Sequence, residues 1–177
     1  MSNFEVNDGY KDNVPDPSLY VKFKLVDDEA SLLAWTTTPW SLPGNAAIAV
    51  NPKEQYVYVE TEEHETLVLA KKRVEVLDED YTVVKEVAGT ELVGKQYRPL
   101  FMVDNVADLE GSDNLYKVWP ADFVSIEDGS GVLHVAPAFG EDDLKLGQDV
   151  GLPVITSIDP GGHVKAGYGL DDIAGKF

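Results

Sequence analysis

Apolar and polar positions alternate from Leu19 onward, with Val21, Phe23 and Leu25 on one side and Lys22 and Lys24 on the other, the pattern of a half-buried strand. Ser31 to Thr38 is β-branched and aromatic and reads as a second strand, halted at Pro39. Pro39 to Asn45 is dense in turn formers, after which Ala46 to Val50 resumes a strand. Gln55 to Glu60 alternates, and Thr66 to Ala70 is a short apolar run able to feed a helix through Lys71 to Val74. Tyr81 to Val87 is strand-like, and Glu91 to Gly94 reads as a helical turn closed by glycine. Two more strands are expected at Lys117 to Val124 and Gly131 to Ala136, the second apolar on both faces and therefore central. The strongest helix signal is Gly140 to Val150, with an acidic first turn and a stop at Gly151 and Pro153. Val154 to Ile158 predicts a last strand before a Gly-rich tail.

Seven or eight short strands with two or three helices, in no βαβα order, predict a β-rich, mixed α+β domain with a curved or barrel-like sheet core. Residues 1–17 mix Asp, Asn, Gly and two prolines and read as a lead-in or linker, leaving 18–177 as a single domain. With 44% hydrophobic residues the chain can bury a core, which excludes a disordered acidic tail. Zero cysteines exclude disulfide scaffolds, thiol nucleophiles and Cys-ligated zinc. No apolar run reaches the roughly 18 residues of a membrane span, so no membrane partner and a cytoplasmic location are expected. Charge points away from nucleic acid: 32 acidic against 14 basic side chains give a net charge of -18, and Arg73 and Arg98 are the only arginines.

Two stretches carry candidate chemistry. In the first, Trp35 to Ser41, three successive threonines alternate across a strand and meet a proline that ends pairing. Their hydroxyls are either left free for a ligand and a water or simply turned to solvent. In the second, Gly129 to Asp143, an apolar strand carries His134, then a Pro-broken loop enters a helix that opens on Glu141, Asp142 and Asp143. His134 is either a packed core residue or a site group, and the acids are either dipole partners or ligand-binding groups. Strand end, loop and helix start together make a usual pocket geometry. The competing chemistries fare worse. No G-x-S-x-G elbow supports a serine hydrolase on Ser41 or Ser125, no metal is expected from the scattered His64, His134 and His163, and no P-loop occurs.

Both stretches resemble the editing-domain signatures of isoleucyl-tRNA synthetases: Trp-Thr-Thr-Thr-Pro-Trp-Ser-Leu-Pro-Gly-Asn at 35–45 and GSGVLHVAPAFGEDD at 129–143. YVKFKL before the first, and V-G-x-x-Y-x-P-L-F at Val93 to Phe101, extend the resemblance from about Tyr20 onward. Valyl and leucyl relatives typically carry Arg in place of Thr38 and an acid in place of Trp40. Two departures, Ser41 and Ser130 where Thr is usual, both keep a hydroxyl. The His-x-Gly-His and Lys-Met-Ser-Lys-Ser elements of the synthetic site are absent from this sequence, so the resemblance is to the editing insert alone, and no isoleucyl-adenylate synthesis is expected.

The resemblance implies the editing-domain fold shared by valyl, isoleucyl and leucyl enzymes, and hydrolysis of mischarged valyl-tRNA(Ile). Isoleucine and valine differ by one methylene, which a pocket converts into only about 1–3 kcal/mol, so a second sieve is needed. Asp143 would accept the α-ammonium, and His134 would fill the space the extra methylene needs. Ala136 and Phe139 would line the same small pocket, and Trp40 flanks it. Thr36, Thr37, Thr38 and Ser41 would hold the terminal ribose, the ester carbonyl and a water. The implied partners are the 3′ aminoacyl-adenosine end of tRNA(Ile) and the synthetase body. No cofactor is expected for this domain, ATP serving only the full-length enzyme. The alternative is a binding module for the aminoacylated 3′ end with little turnover of its own.

Overall fold

A computed structural model describes residues 18–176; the expected lead-in at 1–17 lies outside the described residues. The described chain forms β1 (Leu19–Lys24), β2 (Ala30–Thr36), β3 (Ala47–Val50), β4 (Gln55–Thr61), β5 (Thr66–Ala70), β6 (Tyr81–Ala88), β7 (Val118–Pro120) and β8 (Val132–Val135). Helix α1 (Gly89–Leu92) is a single turn, and α2 (Glu141–Val150) is the longer one, closed by Gly151 in a left-handed conformation. Short 3₁₀ turns occupy several connections, including Pro39–Gly44 and Lys71–Val76, the latter where a helix was expected to follow β5. Among the described residues no helix is long and apolar enough to cross a membrane.

The sheet is mixed, in the order β6-β4-β5-β2-β8-β3-β7, with β1 antiparallel to β2. The segment around Gln96 and Tyr97 then bridges Leu25, beyond the end of β1, to Lys117, before β7. The backbone bonds Arg98 N to Lys24 O (2.8 Å) and Val118 N to Lys95 O (2.9 Å) reinforce this seam. The ring β1-β2-β8-β3-β7 is thereby closed; β1 takes one edge of β2, while β8, at Trp35, and β5, at Ala30 to Leu32, share the opposite edge, and β4 and β6 continue the sheet beyond β5. Closure removes the free edges that β1 and β7 would otherwise present.

Each face of the sheet has a cover. The main core gathers Phe23, Leu32, Ala34, Ile48, Val50, Tyr97 and Val132 inside the ring. A second cluster sets Ala47, Ala49 and Val135 against Leu146 of α2 and Ile155. A third packs Leu33, Val57, Val59, Leu67 and Leu69 under the Lys71–Val76 turn.

Several expectations are corrected. β4 does not alternate: Tyr56, Val57, Tyr58 and Val59 are all buried, because the strand lies between β5 and β6 with a cluster on either face. The strand expected at Lys117 to Val124 shrinks to three residues ending at Pro120, which has no N–H to continue the ladder. No strand forms at Val154 to Ile158; Ile155 is apolar because it packs in the second cluster, and only Ile158 makes a bridge, to Val164.

A candidate active site at the ends of two parallel strands

β2 and β8 run parallel, with Trp35 opposite Leu133, so Thr36 and His134 come side by side at their C-terminal ends. Alternation puts Thr36 on the face of Leu32 and Ala34, and His134 on the face of Val132, so both cap the main core. The His134 ring stacks on Phe23, with centroids 6.5 Å apart and planes at 13°.

The threonines do not alternate across a strand as expected. Pairing ends at Thr36, whose Oγ1 accepts the backbone N–H of Thr38 at 3.1 Å and folds the chain back. The two hydroxyls therefore lie 3.4 Å apart, and the Thr38 hydroxyl is 3.2 Å from that of Ser41 in the 3₁₀ turn. Thr37 is left exposed at the bend.

These elements enclose a cavity of about 330 Å³. It is lined by Thr36, Thr37, Thr38 and Ser41, by Phe139, Gly140 and Asp143, and by Trp35, Trp40 and Leu133, with His134, buried against Phe23 of the core, as its floor. The structure thus brings together eight of the nine residues singled out from sequence. The ninth, Ala136, was expected to line the pocket but is 1% exposed and lies outside its wall. Its backbone N–H instead donates to Asp143 Oδ2 at 2.9 Å, fixing the carboxylate from behind. Gly140 is needed for that placement, since a Cβ there would stand 2.8 Å from the same oxygen.

Among the described residues, the ionisable groups on the lining are one carboxylate and one imidazole. Burial pushes the Asp143 carboxyl above its ordinary value, the Ala136 N–H partly offsets this, and the neighbouring Asp142 charge adds to it. Burial drives His134 down to about 4, so the ring is neutral at pH 7. Its Nε2 is 3.1 Å from Ser41 Oγ, a spacing that resembles a serine nucleophile with its base. The hydroxyl of Ser41, however, lies 2.7 Å from the carbonyl of Thr38, to which it donates. His134 Nδ1 is 2.8 Å from Asn45 Nδ2, which has only hydrogens to offer. Nε2 therefore carries the ring proton and donates to Ser41, leaving no base to activate that hydroxyl.

Asn45 and Tyr97, whose hydroxyl donates to Asn45 Oδ1 at 2.6 Å, were not assigned roles from sequence. Both lie in the quoted stretches, at 45 and within 93–101, and a buried amide beside an apolar strand was the available signal.

Linkage makes His134 visible in stability. Its value is depressed on folding, so between about pH 6.5 and 4 the unfolded chain takes up a proton that the native ring refuses. Stability is full above pH 6.5 and falls as pH drops, by up to about 3 kcal/mol from this residue. Asp143, raised on folding, works in the opposite sense and gains as its carboxyl protonates. Urea denaturation from pH 7.5 to 5 is expected to show this slope in the wild type and not in His134→Gln; equal slopes would refute the buried neutral imidazole.

The fold is that of the CP1 editing domains of leucyl-tRNA synthetases. The structure superposes on GlLeuRS-CP1 with a TM-score of 0.63 at 16% identity, covering 76% of this chain and 60% of that one. It matches the P. knowlesi cytosolic leucyl-tRNA synthetase editing domain with a TM-score of 0.58 at 15% identity, covering 75% and 62%. At these identities the likeness is one of fold. In sequence the chain is 46% identical over 162 residues to an isoleucine–tRNA ligase of Clostridium novyi, covering 90% of this chain and 15% of that protein. It is 40% identical over 176 residues to a probable cytoplasmic isoleucine–tRNA ligase of Dictyostelium discoideum, covering 92% and 16%. No protein-family profile matches the chain. The chain belongs to the isoleucine–tRNA ligase family, has the fold of the CP1 editing domains, and spans about one sixth of the length of these relatives.

Proposed function

We propose that the cavity hydrolyses the ester of valyl-tRNA(Ile), as the second sieve of an isoleucyl-tRNA synthetase. The observation that carries this reading is one cavity lined by a carboxylate, a row of hydroxyls and a neutral imidazole. Asp143 binds the α-ammonium, which needs a negative group and no competing cation. Thr36, Thr38 and Ser41 offer hydroxyls to the ribose, the ester oxygen and a water, with Thr37 at the mouth. The floor, His134, limits the side chain to valine, while Phe139 and Trp40 flank the entrance.

An aminoacyl ester is reactive enough that positioning a water and stabilising the oxyanion can drive hydrolysis without a strong protein base. This suits a site whose imidazole is already committed as a donor. The net charge of -18 fits a domain that grips only the terminal aminoacyl-adenosine, while the synthetase body supplies the basic surface for the rest of the tRNA.

The test is deacylation of valyl-tRNA(Ile) by the isolated chain, beside a binding titration with a non-hydrolysable valyl-adenosine analogue. Hydrolysis of the valyl ester with the isoleucyl ester spared is expected. Binding without turnover would select the binding-module reading instead.

A further inference from the structure

Behind the cavity runs a buried chain of polar groups. Tyr97 is 2% exposed, Asn45 4% and His134 5%, and such groups are costly in a core unless each is satisfied. Their partners leave one assignment. Asn45 Nδ2 is 2.9 Å from the carbonyl of Ala47, which can only accept, so the amide nitrogen must be on that side. Its second hydrogen points to His134 Nδ1, and its oxygen receives the Tyr97 hydroxyl. The order of donation is then fixed: Tyr97 to Asn45, Asn45 to His134, His134 to Ser41, Ser41 to the Thr38 carbonyl.

We propose that Tyr97 and Asn45 are positioning residues that hold His134 in its Nε2–H tautomer and in one ring pose, with the donor edge turned to Ser41 and the cavity. Tyr97 touches no part of the cavity and acts only through Asn45. It comes from the segment that closes the barrel and is braced edge-on by Phe23, at 5.3 Å, which also stacks on His134. Barrel closure, amide orientation and the size of the cavity floor are thereby linked. Because Tyr97 cannot accept from Asn45 without breaking the Ala47 bond, the chain has one low-energy direction. That is what a floor must have if it is to discriminate a methylene.

The inference rests on the proposed editing role for its effect on substrate, but its structural content can be tested without it. In the isolated chain, ¹⁵N spectra of His134 are expected to show a pyridine-like Nδ1 and a pyrrole-like Nε2. Asn45→Asp presents only acceptors to Nδ1 and is expected to move a proton onto that nitrogen. In the full-length enzyme, Tyr97→Phe is expected to lower the preference for valyl over isoleucyl ester by about 10-fold, within the range one methylene supplies. Val118→Ala, which thins the same core without touching the chain of bonds, is the control for lost stability and should keep the preference.

A protonated Nδ1 in the wild type, or an unchanged preference in folded Tyr97→Phe, would overturn the inference while leaving the editing reading intact. A wild-type enzyme that spares valyl-tRNA would overturn the editing reading, and the nitrogen spectra would still decide the tautomer.

Discussion

Replacing Asp143 with asparagine is expected to cut deacylation of valyl-tRNA(Ile) by the full-length enzyme by roughly 10- to 100-fold, the worth of a charge-assisted hydrogen bond of about 1.5–3 kcal/mol. Asparagine is the informative choice because Asp143 does two things. One oxygen accepts the Ala136 N–H and anchors the loop between β8 and α2, and the residue lines the cavity. The asparagine amide oxygen can keep the first bond, so a loss on Asp143→Asn measures the charge. Asp143→Ala also frees the Ala136 N–H and is expected to abolish most activity while lowering stability. Single-turnover deacylation with unfolding midpoints separates the two effects. Near wild-type rates in either variant would reject Asp143 as the ammonium partner.

The surroundings of Asp143 disfavour its charged form, which sharpens the expectation. Burial and Asp142 both raise its carboxyl, and only the Ala136 N–H opposes them. An incoming ammonium would lower it again, so substrate and carboxylate stabilise each other's charged forms. A hydroxy-acid ester, lacking the ammonium, would not.

What could be read from sequence follows from where the determinants lie. Local patterns placed β1, β3, β5, β6 and α2 well, because alternation, apolar runs and the acidic first turn of α2 are written in neighbouring residues. The central position of β8 was legible from its two apolar faces. Closure through Gln96 and Tyr97 was not, since two isolated bridges leave no periodic signal. Nor was the burial of both faces of β4, where tyrosine hydroxyls look polar. Tyr56 spends its hydroxyl on the Gly131 carbonyl at 2.8 Å and stays in the core.

At the site, residue types and their order identified the cavity wall, but contacts between segments decided the roles. Ala136 looked like lining and acts through its backbone; Asn45 looked like a turn residue and orients His134. Spacing along the chain cannot show that Thr36 would bend back to bring three hydroxyls together, because the donor it captures, the Thr38 N–H, is set free by the end of the strand.

The second large effect is expected at the cavity floor. His134→Ala removes the buried ring at the cavity floor, and the full-length enzyme is expected to begin hydrolysing isoleucyl-tRNA(Ile). One methylene is worth about 1–3 kcal/mol of exclusion, so isoleucyl-tRNA(Ile) deacylation should rise by roughly 10- to 200-fold, with valyl-tRNA cleavage changing far less. The substitution also strips Asn45 and Ser41 of a partner, and an unsatisfied buried amide costs about 1–3 kcal/mol. The assay therefore belongs well below the variant's unfolding midpoint. His134→Gln offers a longer polar side chain that can still meet Ser41 or Asn45, and is expected to admit isoleucine less than alanine does. If the alanine variant spares isoleucyl-tRNA while still clearing valyl-tRNA, the ring is not the gate. The limit on side-chain size would then have to come from the rim at Phe139 and Trp40, which are 38% and 55% exposed.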